Sequence, residues 1–121
     1  FYLVKEGSEL NIICTGTTVY ATLKALEATH TEANIYILID LKLESSTLDA
    51  MKSIPNLPTI VVDDSFQHCS ISQAIMFSIP DLNWLPPLCR HSKNISYAEA
   101  AESVIRADYL RIVEHLSAWK S

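Results

Sequence analysis

Few residues in this 121-residue chain are placed where they could do chemistry. The turn Thr15-Gly16-Thr17-Thr18 lies between an apolar strand-like run and a helix start. Free backbone amides and the helix dipole at such a turn favour a phosphate or a carboxylate. Thr17 or Thr18 would equally serve as an ordinary helix cap. Asp63-Asp64 closes another apolar run and could supply a metal ligand or a general base. Adjacent strand residues point to opposite faces, however, so the two carboxylates rarely share one ion, and a turn or helix-start role suits them better. His68 comes four residues later and could pair with Asp64. Trp84, beside Leu85-Pro86-Pro87, is read either as a contact with another domain or subunit or as a cover for the domain's own core. His115 falls on the charged side of the last helix. No Ser/His/Asp or Cys/His arrangement and no HExxH motif occurs, so no catalytic residue, no metal ligand and no cofactor-binding residue is assigned.

Cys14, Cys69 and Cys89 show no CxxC spacing, and the expected state of all three is the free buried thiol of a reducing compartment. The sequon Asn94-Ile95-Ser96 matters only to a secreted protein. Only Gly7 and Gly16 occur, where average usage would give roughly eight. That scarcity excludes the glycine-rich P-loop and dinucleotide fingerprints. A net charge of −5 gives no footprint for nucleic acid, and no apolar run approaches a membrane span. The hydrophobic content of 49% against 19% charged residues fits a globular core. The length suits one domain, residues 1–121. The start at Phe1, without an initiator Met, is read as the cut end of a longer chain.

The elements that must position these residues are read from hydrophobic period. Leu10–Cys14, Asn34–Asp40 and Thr59–Val62 read as buried strands, and a fourth strand over Trp84–Cys89 is confined by Pro86-Pro87 to an edge or a late start. Helices are expected over about Thr18–His30, from a capping box at Ser46-Thr47-Leu48-Asp49 through Lys52, and over Ser70–Ser78 with Ile71, Ala74, Ile75 and Phe77 as its apolar residues. A last helix begins at the capping box Ser96-Tyr97-Ala98-Glu99. Its stripe is Ala101, Ile105, Tyr109, Ile112, Leu116 and Trp119, with Glu102 and Arg106 paired opposite. Alternating strands and helices define an α/β fold, a three-layer α/β/α domain with a mainly parallel sheet.

The order of segments resembles the C-terminal domain of the transketolase family, most closely the beta subunit of thiamine-diphosphate-dependent 2-oxo acid dehydrogenases. The resemblance rests on the strand, turn and helix from Leu10 to Glu27, on Ile37-Leu38-Ile39-Asp40-Leu41, on Thr47-Leu48-Asp49, on Ile60-Val61-Val62-Asp63-Asp64, and on Ser96-Tyr97-Ala98-Glu99 with Glu102. One departure is the loop Ser65 to Ser70, which lacks the glycines the family carries there. The resemblance implies a non-catalytic assembly and positioning domain of an enzyme acting on 2-oxo acids or transferring ketol units, an oxidoreductase or transferase. Thiamine diphosphate and Mg would be held by other domains of that parent, and no G-D-G diphosphate motif occurs here. Gly16, Thr17 and Thr18, and more weakly His68, would lie toward the active-site entrance or a domain interface. Partners would be other domains or subunits in a homo- or hetero-oligomer, in the cytoplasm or an organelle matrix. The alternative is a free-standing α/β module binding an anionic ligand at the Thr15–Thr18 turn.

Overall fold

The computed structural model describes residues 1–39, 42–66, 70–90 and 100–121. The side chains of residues 65, 66 and 100–104 are not described. Asp40, His68, Cys69, the sequon at 94–96 and the capping box at 96–99 therefore lie outside the described residues, as does the side chain of Glu102.

Among the described residues the element order is β1 (Tyr2–Lys5), β2 (Leu10–Thr15), α1 (Thr18–Thr29), β3 (Ala33–Leu38), α2 (Ser45–Lys52), β4 (Thr59–Phe66), α3 (Ser70–Ser78), β5 (Leu88–Arg90) and α4 (Ala100–Lys120). The sheet runs β1-β3-β2-β4-β5. Strands β2 to β5 are parallel, and β1 joins β3 antiparallel. Period-two alternation then sorts the core into two clusters. Leu10, Ile12, Cys14, Ala33, Ile35, Ile60 and Val62 face α1 and α4, packing with Ala21, Ala25, Leu26, Ile112 and Leu116. Ile13, Tyr36, Leu38 and Val61 face α2 and α3, packing with Met51 and Ile75. Both faces of the central strands are covered, so their sequences read as nearly unbroken apolar runs. This is the expected three-layer α/β/α arrangement.

The apolar start of the chain has a role that its sequence did not announce. Tyr2–Lys5 is the antiparallel edge strand, and the Phe1 ring stacks on Tyr36 at 5.0 Å and 5°. Strand β5 starts late, at Leu88, beyond the two prolines. The Ser46 box does not form: Glu44 holds the N-cap position of α2 without a side-chain bond. Phe77, counted among the apolar residues of α3, is 89% exposed. The buried residues of α3 are Ile75 and Ser72.

The thiols divide. Cys14 is free and buried, as expected. Burial pushes it up to about 11, partly opposed by hydrogen bonds with Thr22 and Thr18. Cys89 is disulfide-bonded, which corrects the expectation of three free thiols.

A polar ladder crosses one face of the sheet at the amino ends of its strands. The register aligns Asn34, Asn11 and Thr59 side by side. Asn34 Nδ2 donates to Asn11 Oδ1 at 3.0 Å. Asn11 Nδ2 in turn donates to Pro55 O at 2.8 Å and Thr59 Oγ1 at 3.2 Å. The Gly7 amide closes the row on Asn34 Oδ1 at 2.9 Å. Asn11 is fully buried, so each of these groups depends on its neighbour for a partner. Asn11→Leu is expected to lower unfolding free energy by about 2–3 kcal/mol in urea titration, because Asn34 then loses its acceptor.

His115 on α4 is half-buried, and desolvation holds its imidazole below the ordinary 6.5. The fold therefore prefers the neutral ring. Its contribution to stability is complete above pH 6.5 and is lost as pH falls through the folded-state value. Urea midpoints recorded across a descending pH series through the imidazole range are expected to fall for the native chain and to fall less for His115→Gln.

Candidate functional site

From β2 the chain steps one way in the sheet to β3 and later returns to the other side as β4. The carboxyl ends of β2 and β4 therefore form the topological switch point, where α/β sheets open a crevice. The Thr15–Thr18 turn and Asp63-Asp64 meet there.

Gly16 sits at φ +56°, the left-handed region that glycine adopts without a Cβ penalty. The Asp64 carboxylate lies directly over it: a Cβ on Gly16 would stand 1.9 Å from Asp64 Oδ2. Thr15 and Asp64 clasp each other, the Thr15 hydroxyl donating to Asp64 Oδ1 and accepting from the Asp64 amide, both at 2.8 Å. The Thr18 hydroxyl is buried and lies 2.8 Å from Thr15 O and 3.1 Å from Val62 O. Thr17 holds the N-cap position of α1 without a side-chain capping bond. Its hydroxyl instead receives a guanidinium N–H of Arg90 at 3.1 Å. Neither threonine serves as the side-chain cap that the sequence allowed.

Asp63 serves a different element. Its Oδ2 accepts from the Ser72 amide at 2.9 Å and the Ser72 hydroxyl at 2.8 Å, so a strand carboxylate caps the first turn of α3. The two neighbouring aspartates thus divide as expected, one to a helix start and one to a turn.

Arg90, Asp108 and Arg111 went unnoticed at the level of sequence. Asp108 is 4% exposed and accepts from Arg90 Nε at 3.1 Å and from Arg90 NH2 at 2.8 Å, a two-pronged ion pair. A further N–H of Arg90 reaches Asp64 O at 3.2 Å. Arg111 lies 3.9 Å from Asp108 and donates to Cys89 O. Edge strand, switch-point turn and last helix are thereby joined. One signal was present: Asp108 sits between Ile105 and Ile112 on the apolar side of α4, and a carboxylate there must be paired to be buried.

Trp84 is half-buried. Its indole N–H donates to Ile79 O at 2.8 Å, and its ring packs against the cluster beneath α2 and α3. Of the five residues singled out as candidates, Gly16, Thr17 and Thr18 share the crevice and Trp84 lies on the opposite core. His68 is outside the described residues.

Among the described residues no three His, Cys, Asp or Glu side chains gather as a metal site. Asp63 and Asp64 are engaged by Ser72 and Thr15, an arrangement that fits a cap and a clasp rather than a metal–diphosphate group. Cys14, protonated at neutral pH and buried, is no nucleophile. No helix among the described residues is long and apolar enough to cross a membrane.

The architecture is a three-layer α/β/α domain of transketolase-like fold. A chain titled "Split gene transketolase, inactive beta4 tetramer" superposes on it with a TM-score of 0.62 at 15% identity. The overlap takes in 96% of this chain and 41% of that one, and the likeness is one of fold. No protein-family profile and no curated protein matches the sequence.

Proposed function

We propose that this chain is an assembly and positioning domain of a thiamine-diphosphate-dependent enzyme, one that acts on 2-oxo acids or transfers ketol units. The observation that carries the reading is the superposition over nearly the whole chain on part of a longer split-gene transketolase chain. The switch-point crevice supports it: its carboxylates, hydroxyls and guanidinium bond to one another, an arrangement suited to holding strands and helices in place. Thiamine diphosphate and Mg would be bound by other domains, with the Thr15–Thr18 turn toward the entrance or an interface. The parent would assemble as a homo- or hetero-oligomer in the cytoplasm or an organelle matrix.

The genomic neighbourhood tests this. The expected result is a segment with a G-D-G diphosphate motif, either in frame upstream of Phe1 or in an adjacent gene. An open reading frame that starts just before Phe1, with no such neighbour, would sink the proposal.

The second reading, an anionic ligand on the Thr15–Thr18 turn, draws on one observation, the Arg90 guanidinium beside Thr17. The Asp64 carboxylate over Gly16 opposes it. It predicts saturable binding of inorganic phosphate or a small carboxylate by calorimetry, lost in Thr17→Val. A flat titration across such anions would remove it.

A further inference from the structure

Helices α1 and α4 pack side by side and leave an open trough of about 960 Å³ between them. Its apolar lining includes Ala28, Tyr109 and Leu110, and Leu110 is 54% exposed. Lys24 stands on the α1 wall and Arg106 on the α4 wall, both exposed. A second hollow of about 410 Å³ shares Lys24 and Glu27 with the first and lies on the other flank of α1, where Lys5, His30 and Glu32 line it. The trough itself is lined from Lys24 to Ala28 on α1 and from Ile105 to Leu110 on α4, less than two turns of each helix.

We propose that this trough docks an amphipathic helix of a partner protein, its apolar stripe on Tyr109 and Leu110 and its carboxylates toward Lys24 and Arg106. The proposal goes beyond the functional reading above and does not rest on it.

Charge chooses the occupant. Arg90, Arg111 and Lys120 are each paired with a carboxylate. Lys24 and Arg106 form no ion pair among the described residues, and they flank an apolar floor on a chain of net charge −5. Lys24 and Arg106 beside exposed apolar surface complement the carboxylates of an acidic amphipathic element. Glu27 on the α1 wall asks for one base in the partner's pattern. Shape agrees. Small-molecule sites enclose most of their ligand, which an open trough cannot do, while helix-in-groove recognition uses an open apolar floor with charged rims.

The test uses the full 121-residue chain and two fluorescein-labelled helical peptides of about 16 residues, long enough to span the groove. Both carry leucines at i, i+3, i+4 and i+7, flanked by glutamates in one and by lysines in the other. Anisotropy titrations are expected to show saturable binding of the glutamate peptide at least tenfold tighter than of the lysine peptide. Leu110→Ser should weaken it tenfold or more, and Lys24→Glu with Arg106→Glu should reverse the preference. Thermal melts by circular dichroism report whether the variants are folded, and the comparison of peptides on the native chain needs no variant. Equal affinity for the two peptides overturns the proposal, as does a preference that survives the charge reversal. A concentration-dependent dimer in sedimentation velocity that Leu110→Ser abolishes assigns the trough to a second copy and overturns it too.

Discussion

Asp108→Ala is expected to destabilise the domain by about 3–5 kcal/mol, the usual cost of removing one partner from a buried ion pair. The side chain lost is 4% exposed, and the guanidinium it leaves behind at Arg90 is 11% exposed. Arg90 would keep its bonds to Thr17 and Asp64 O, both neutral acceptors, while Arg111 would lose its neighbouring carboxylate. The effect should extend to the switch point, because the same guanidinium holds the Thr17 hydroxyl. Urea unfolding followed by circular dichroism measures the loss. The double variant Arg90→Met/Asp108→Leu separates pairing from burial. With both charges gone and apolar volume restored, stability should return to within about 1–2 kcal/mol of the native chain, since hydrophobic replacements of buried pairs are often neutral. A double variant as unstable as Asp108→Ala would show that the cost came from lost packing instead.

Gly7→Ala is expected to be comparably severe, about 3 kcal/mol or more, at the top of the range for overpacking. A Cβ at Gly7 would stand 2.2 Å from Ala33 N and 2.5 Å from Glu32 C. These are backbone atoms at the start of β3, and Ala33 pairs in register with Leu10 of the central strand. No side-chain rotation relieves the overlap. Moving Gly7 away instead withdraws its amide from Asn34 and opens the polar ladder at its end. Gly16→Ala makes a useful contrast. There the obstruction is the Asp64 carboxylate, a side-chain end that can swing aside. The cost should stay near about 1–2 kcal/mol for the left-handed backbone, plus the loosened Thr15 clasp. If the two alanine variants melt together, the distinction between backbone and side-chain obstruction is wrong.

Much of the fold was legible because its central strands are covered on both faces. Leu10–Cys14 and Thr59–Val62 carry that requirement openly as apolar runs. Pro80 marks the end of α3, and Pro86-Pro87 hold back the start of β5. Strand β1 was not legible: Tyr2, Leu3 and Val4 are exposed, and they form a strand only by pairing with β3, far along the chain. The α2 start failed for a local reason, since a Ser-x-x-Asp pattern also fits a helix already begun one residue earlier at Ser45. At the site, adjacency gave the division of Asp63 from Asp64. The partners of those carboxylates, Ser72 and Thr15, come from the fold's crossing connections and have no fixed spacing in the chain. Arg90 and Asp108 are 18 residues apart on different elements, and only the burial of Asp108 hinted at a partner.

The last helix is fastened near both ends of α1. Asp108 ties it through Arg90 to the turn that begins α1, and Lys120 donates to Thr29 O and His30 O where α1 finishes, while pairing with Glu9. Ile112 and Leu116 lie between those fastenings, and with α1 they cover one whole side of the sheet. Since α4 comes after every described strand in the chain, a ribosome would release the sheet before the layer that seals it exists. Until α4 emerges, the cluster under α1 would lack the cover that Ile112 and Leu116 supply. A nascent chain stalled before Asp108 is therefore expected to be more open to protease than the finished domain.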